Sequence, residues 1–241
     1  MKSRAIVLHC TKYNDESFIA SLLTEEKGAV SLLVRISKSR RAAVRHTLFQ
    51  PMALLEVEWT HRSTATLQKP QGVQPFYTFC SVPYDERKLA IGLFIAEVLH
   101  HVVRNEPDSR AIFAYAMRSV QWLDLCKEHF ANFHLVFLLR LTHFLGFMPS
   151  VHEAWPGYWF DLRTTTFCAT RPAHPDCLEP QDAALVPKLL RMRYDTMHAF
   201  RFTGADRSRL LSLLNTYYRL HVPGFPELNS LAVLKSLFET K

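Results

Sequence analysis

The chain has 241 residues, of which 48% are hydrophobic and 21% charged, with a formal net charge of +7. That composition excludes a disordered chain and a collagen-like repeat, and its basic balance favours acidic partners, nucleic acid first and anionic membrane second. The apolar run before His9 is too short for a signal peptide, and no stretch approaches the roughly eighteen apolar residues of a spanning helix, so a cytoplasmic, nucleoid-associated protein without membrane contact is expected.

In chain order, "RAIVLHCTKY", "SFIASLLTEEKGAVSLLVRI" and "QPMALLEVEW" read as short β-segments. The middle one breaks at Glu25-Glu26-Lys27-Gly28, a glycine-containing hairpin signal. "TATLQKPQGV" is a weaker fifth strand, expected to end near Pro70 and Gly72. Five short strands without a helix-length pattern predict a small closed barrel, an OB-fold being the commonest such object, although SH3-like barrels share the strand count.

From Tyr84 the period becomes helical. "DERKLAIGLFIAEVLHHVVRNE" carries Leu89, Leu93, Ala96, Leu99 and Val103 as an apolar stripe, with Ile95, Val98 and Val102 flanking it, which predicts a helix buried on more than one side. Asp85 is its expected N-cap, and Pro107 with Asp108 its stop. Further helices are predicted over about 108–127 and 131–147, the latter ending near Gly146. The Pro- and Thr-rich stretch that follows predicts a small hairpin around 159–167, and "SRLLSLLNTYYRLHV" and "LNSLAVLKSLFETK" are the clearest closing helices. The predicted class is α+β: an N-terminal five-stranded β-barrel over 1–80, then an all-α helical bundle over 81–241 with a small irregular hairpin insertion at about 149–180.

Motifs for bond chemistry are scarce. With seven glycines there is no dinucleotide or Walker loop, no Gly-x-Ser-x-Gly elbow and no His-Glu-x-x-His pair. No catalytic residue is assigned. The acidic pairs Asp15-Glu16, Glu25-Glu26 and Asp85-Glu86 read as solvated turn or helix-start residues. Five cysteines, Cys10, Cys80, Cys126, Cys168 and Cys177, are scattered, as ordinary thiols in a reducing compartment would be. Cys168, His174 and Cys177 lack the second close pair of a structural zinc site, so neither metal nor cofactor is expected. His129 and His134 read as exposed or capping residues.

The stretch "VRISKSRRAAVRHTLFQPM" carries Arg35, Lys38, Arg40, Arg41 and Arg45 and no acid. Residues 1–80 hold 11 basic against 6 acidic side chains, and residues 81–241 hold 18 against 16, so most of the excess charge lies on the barrel-like part. Cations along a backbone and aromatic faces for stacking are what single-strand binding needs. Tyr13, Phe18, Phe49 and Trp59 are the available aromatics, with Tyr13 the assigned one and Phe18 and Phe49 equally suited to a core. A solvated charged loop is the alternative. An RNA-binding OB protein, a pure interaction scaffold and a metal-dependent hydrolase using His152, Asp161 and His174 are competing readings.

Taken in order, "AIVLHCTKYNDESFIASLLTEEKGAVSLLVR", "SKSRR", "LFQPMALLEVEW", "KLAIGLFIAEVLHHVVRNEPD", "NFHLVFLLRLTHFLGFMPS" and "YYRLHVPGFPELNSLAVLKSLF" resemble the bacterial RecO recombination mediators over nearly the whole chain. The resemblance implies an N-terminal OB-fold, a helical domain and an ATP-independent, non-catalytic activity. It further implies binding of single- and double-stranded DNA, annealing of complementary strands, association with RecR, and help in loading RecA. It also implies a pocket on the helical domain for the C-terminal tail of single-strand binding protein, for which Arg140 is the candidate rim cation and Leu139 and Phe144 the candidate walls. The family's four-cysteine zinc site is not carried over, because only Cys168 and Cys177 stand in that segment; packing of Trp155, Tyr158, Trp159 and Phe160 is expected to hold the hairpin instead. Replacing Arg40 and Arg41 together by Glu is expected to weaken single-strand binding and flatten its log–log salt dependence by about 0.7 for each phosphate no longer neutralised. Unchanged affinity and slope in the folded double variant would remove this stretch from the interface.

Overall fold

The computed structural model describes residues 1–35, 47–62, 64–106 and 109–239. Lys38, Arg40, Arg41 and Arg45, and the expected helix stop at Pro107 and Asp108, lie outside the described residues. Internal packing divides the chain into two units, residues 1–125 with 228–234, and residues 126–227 with 235–241.

In the first unit β1 (Lys2–Asn14), β2 (Ser17–Thr24) and β3 (Gly28–Arg35) form an antiparallel meander, and β4 (Leu54–Trp59) pairs with the free side of β1. The β2–β3 connection is the expected hairpin. Thr24 opposes Gly28, whose φ of 63° is the left-handed conformation a glycine adopts without steric cost. The Thr24 hydroxyl donates to the Gly28 carbonyl at 2.9 Å and accepts the Lys27 N–H at 3.2 Å.

The fifth strand is split and longer than expected. β5 (Leu67–Gln68) runs parallel to β3, and β6 (Pro70–Pro75) runs antiparallel to β4, so pairing continues well past Pro70. Proline has no N–H to give a ladder, and Pro70 sits where that omission is tolerated, at the first position of a strand. The sheet order is β5-β3-β2-β1-β4-β6, so its two edges are segments separated in sequence only by Lys69. The sheet therefore curls into an OB-like half-barrel.

Side-chain alternation fills it. Val7, Phe18, Leu22, Leu32, Val34, Phe49, Val57 and Trp59 form one buried cluster on the inner face. Phe18 and Phe49 meet edge to face with centroids 5.4 Å apart, and Trp59 is fully buried, so of the aromatics considered for stacking only Tyr13 remains exposed. On the outer face Ile6, Leu8 and Leu23 are buried, and β1 and β2 pack there against α1 (Glu86–Val102) and α2 (Arg110–Leu125).

Asp85 caps α1 as expected, accepting the N–H groups of Arg87 and Lys88 at 2.9 and 3.1 Å. The helix buries Ile91, Phe94, Ile95, Val98, Leu99 and Val102. Leu89 and Leu93 are 41% and 39% exposed, which corrects their assignment to the buried stripe. The run has more apolar residues than one helix face, and contact with the sheet selects which of them are covered. A 3₁₀ turn, Val103–Asn105, follows α1. Glu97, which interrupts the apolar window, accepts the N–H groups of Asn229 and Ser230 at 2.9 and 2.8 Å, placing a carboxylate at the start of α7 (Asn229–Glu239), where the helix dipole favours it.

Asp124, 2% exposed near the end of α2, ties down the segment that follows β6. Its carboxylate accepts the backbone N–H groups of Cys80, Ser81 and Val82 and the Tyr77 hydroxyl, all within 3.1 Å. Lys88, also buried, reaches Ser81 Oγ at 2.6 Å and brings a cation to the same knot. Burial alone would raise the Asp124 carboxyl, but the converging N–H donors outweigh it and hold the group well below the usual carboxylate range. Burial, then the bond to Asp124, pushes the Tyr77 phenol up to about 12.

The second unit is built on α3 (Phe133–Phe144), an apolar helix whose Phe133, Leu135, Phe137 and Leu141 are fully buried. It also contains a small sheet of order β8-β7-β9, from β7 (Trp159–Asp161), β8 (Thr166–Cys168) and β9 (Cys177–Leu178). Two short helices, α4 (Pro180–Ala183) and α5 (Val186–Leu190), and the long α6 (Gly204–His221) complete it. Thr203 and Asp206 form a reciprocal capping box at the start of α6. From α6, Tyr217 and Tyr218 donate to the carbonyls of Phe147 and Leu138 at 2.6 and 2.8 Å. Phe160 packs edge-on to Phe167 with centroids 5.0 Å apart, whereas Trp155 is 64% exposed, so that residue does not hold the hairpin as expected. His134 is buried rather than exposed or capping; burial, then the charge of Arg207, lowers it to about 3.

Asp124→Asn is expected to destabilise the protein by about 2–3 kcal/mol at neutral pH, because an amide group replaces an acceptor facing several donors. The folded-state pKa lies below the unfolded value of about 3.9, so the carboxylate's contribution is complete above that pH and lost as pH falls below it. Denaturant titrations should show the widest gap between wild type and D124N at pH 7, narrowing below about pH 4. A pH-independent gap would contradict the account of the knot.

Candidate nucleic-acid interface

Where the two sheet edges meet, a cleft of about 350 Å³ opens between the end of β3 and the β5–β6 segment. Leu33, Val34 and Phe49 line it together with Arg35, Lys69, Gln71 and Val73. Arg35 and Lys69 are both exposed, so the cleft has an apolar interior and two cationic groups. Phe49 is held by the core, and the Cys10 thiol donates to its carbonyl at 3.1 Å. Burial pushes that thiol up to about 11, which leaves it unreactive at neutral pH.

Tyr13 is the extra residue of a β-bulge between Lys12 and Asn14, and it is 58% exposed. Bulges re-aim a side chain out of the regular alternation. Asn14 opposes Ser17 on β2, and Ser17 opposes Arg35 on β3, so Tyr13 and Arg35 stand at the same end of the sheet, about two strand spacings apart. Lys12 there is paired with Asp15 at 2.7 Å. The structure thus brings Arg35 and Tyr13 to one end of the half-barrel. Lys69 and Gln71 are additions to the site: their proximity follows from how the barrel closes, and "QKPQG" signals only a turn.

In the second unit a mostly apolar cavity of about 300 Å³ is lined by residues including Leu139, Phe160, Leu162, Leu178, Leu210 and Tyr217. Leu139 lines this cavity. Arg140 is exposed and donates weakly to the Met192 carbonyl at 3.4 Å, and Phe144 is 37% exposed; neither lines this cavity. The cation that does line it is Arg209, ion-paired with Asp182, with Asp206 close by.

Around the hairpin, Asp161 accepts the N–H groups of Arg163 and Thr164 at 2.8 and 3.3 Å, and its Oδ2 lies 3.3 Å from His174 Nε2. Burial would raise this carboxyl, but those donors and then His174 bring it below its ordinary range. Asp161 and His174 are thus together, while His152 is exposed, and among the described residues no three His, Cys, Asp or Glu side chains gather as metal ligands. Cys168 and Cys177 pair with opposite sides of β7. Burial, followed by Asp161 and Cys177, raises the Cys168 thiol. Among the described residues no helix is long and apolar enough to cross a membrane.

An OB-like half-barrel with a cation-lined cleft, followed by a helical part, defines a two-part class of chain. Comparison with known families finds Recombination protein O N terminal over residues 1–79 and Recombination protein O C terminal over residues 83–231. The chain is 46% identical to "DNA repair protein RecO" of Bacteroides fragilis over 239 residues, covering 99% of both chains. It is 42% identical to the protein of that name from Phocaeicola vulgatus, covering 98% of both, and 30% identical to that of Flavobacterium johnsoniae, covering 99% of both. The chain belongs to the RecO family of DNA repair proteins.

Proposed function

We propose that the protein is a non-catalytic DNA-binding mediator of recombinational repair. In this reading it binds single- and double-stranded DNA, anneals complementary strands without nucleotide, and assists recombinase loading onto strands coated with single-strand binding protein. RecR and the coating protein's C-terminal tail are its direct protein partners, and RecA is an indirect one.

The observation that carries the reading is the cleft at the barrel's seam. Arg35 and Lys69 offer two cations beside the apolar floor at Phe49, and the chain continues from Arg35 into a segment with four further basic residues and no acid. Such an arrangement suits a phosphate backbone, and it binds strands of any sequence because phosphate contacts position without reading bases. Tyr13 at the same end supplies a face on which a base can stack.

The test is annealing of complementary oligonucleotides without ATP, bare and coated with single-strand binding protein. The wild-type protein should accelerate both, and Arg35→Gln with Lys69→Gln should slow annealing and reduce the single-strand salt slope by about 1.4. Absence of annealing by the wild type, or an unchanged slope in the folded double variant, would overturn the reading or its site, respectively. Stronger competition by matched RNA than by matched DNA would move the substrate from DNA to RNA.

The tail contact is assigned to the helical part, with Leu139 as an apolar wall of the cavity, and with Arg140 and Phe144, exposed outside it, as the cation for a terminal carboxylate and an outer wall. A peptide ending in Asp-Phe should bind the full chain, and Arg140→Ala should weaken it about tenfold, the loss of one charge-assisted bond. Equal calorimetric affinity for the variant would remove Arg140, leaving Arg209 as the alternative cation.

A further inference from the structure

A second cluster of donors in the first unit takes no part in the cleft or the knot. His9 on β1 opposes Ser21 on β2, and Ser21 opposes Ser31 on β3, so three polar side chains form a row across three strands. Cross-strand partners share a face, and Leu32 and Val34 on β3 point into the barrel core, so this row lies on the outer face. The end of α1 and the turn after it lie over the row. The His9 and His100 rings are 5.2 Å apart, and Ser21, Ser31, His100 and Arg104 together line a small cavity of about 100 Å³. Among the described residues lining that cavity there is no carboxylate. The nearby Glu97 is engaged by the first N–H groups of α7.

We propose that Arg104, His100, Ser21 and Ser31 form a phosphate-binding site, and that a DNA strand held at the Arg35 cleft reaches it along β3. This inference rests on the DNA-binding reading for the source of the phosphate, but the site's chemistry stands on its own geometry. One guanidinium and two hydroxyls converge, a donor set suited to phosphoryl oxygens. Arg104 donates to His100 Nε2 at 2.7 Å, so the imidazole acts as an acceptor that aims the guanidinium and leaves its other N–H groups for a ligand. Burial, followed by the charges of Arg104, His101 and His9, lowers His100 to about 4, consistent with that acceptor role at neutral pH. Arg35 and Ser31 are on the same face of β3 four residues apart, about 13 Å along the strand, so one bound strand spans both.

The test uses the full chain and two probes. In the first arm, anisotropy of a labelled oligothymidylate is measured against salt for wild type, Arg104→Gln, Ser31→Ala and, for comparison, Arg35→Gln. The proposal predicts that Arg104→Gln lowers the log–log slope by about 0.7 and weakens binding several-fold, with Arg104→Lys restoring the slope. Ser31→Ala should weaken binding while leaving the slope unchanged. In the second arm, inorganic phosphate is titrated while the imidazole proton resonances of His9 and His100 are followed. Shifts in the wild type that vanish in Arg104→Gln, with an unchanged DNA slope, would support the site with free phosphate as its source. Absence of both a slope change and phosphate-dependent shifts would overturn the site. A lowered slope in Arg35→Gln alone would then leave the DNA reading standing, whereas a wild type that does not bind the oligonucleotide would overturn that reading and leave the phosphate arm to decide the site.

Discussion

The structure of the first unit depends on a single short segment that must satisfy two sheet edges. Residues 67–75 pair in parallel with β3 through Leu67 and Gln68, then in antiparallel with β4 from Pro70 onward. A strand edge left open is a liability for aggregation, and closure removes it. Closure here imposes a change of partner at Lys69, and the cleft lies where that change occurs, beside the last residue of β3. Gln68 stabilises the corner, since its side-chain amide donates to the carbonyls of Arg62 and Ala65 at 2.9 and 2.7 Å. The basic cleft is thus a consequence of how the barrel closes.

Two carboxylates then fix what surrounds the barrel. Asp124 gathers the N–H groups of the segment leaving the sheet, and Glu97 gathers those at the start of α7. Asp124 has left bulk water and Glu97 is half-buried, and both remain ionised because backbone donors replace the lost hydration. The more exposed ion pairs, such as Lys2 with Glu56 and Arg163 with Asp176, have far less to contribute, since water competes for each partner.

What was legible in the sequence is what local chemistry decides. Asp85 as a cap, the turn at Gly28, the helix ending near Gly146 and the small hairpin all depend on residues a few positions apart, and the structure has each of them. Register and burial were not legible. Leu89 and Leu93 fit the helical period yet face outward, because the sheet covers only one side of α1. Phe18 and Trp59 could not be separated from Tyr13 without the alternation, which buries those two and, through a bulge, expels Tyr13, while Phe49, outside the strands, is buried by packing on Phe18. At the site, Arg35 and Tyr13 could be named from composition and charge, whereas Lys69 and the row of His9, Ser21 and Ser31 exist only once strands are paired. Arg140 and Phe144 stood with Leu139 in sequence, but a helix turns adjacent residues to different faces, and only Leu139 reaches the cavity.

The proposed function divides labour within the chain, with the basic cleft on the half-barrel for strands and the apolar cavity in the helical part for a peptide side chain. The central claim is that DNA lies at the barrel's seam. Backbone amide hydrogen exchange on the full chain, with and without a saturating single-stranded oligonucleotide, tests it most directly. The account predicts added protection in residues 31–35 and 69–73, with the Asp124 knot unchanged. Protection confined to residues 126–227, with none at the seam, would contradict it.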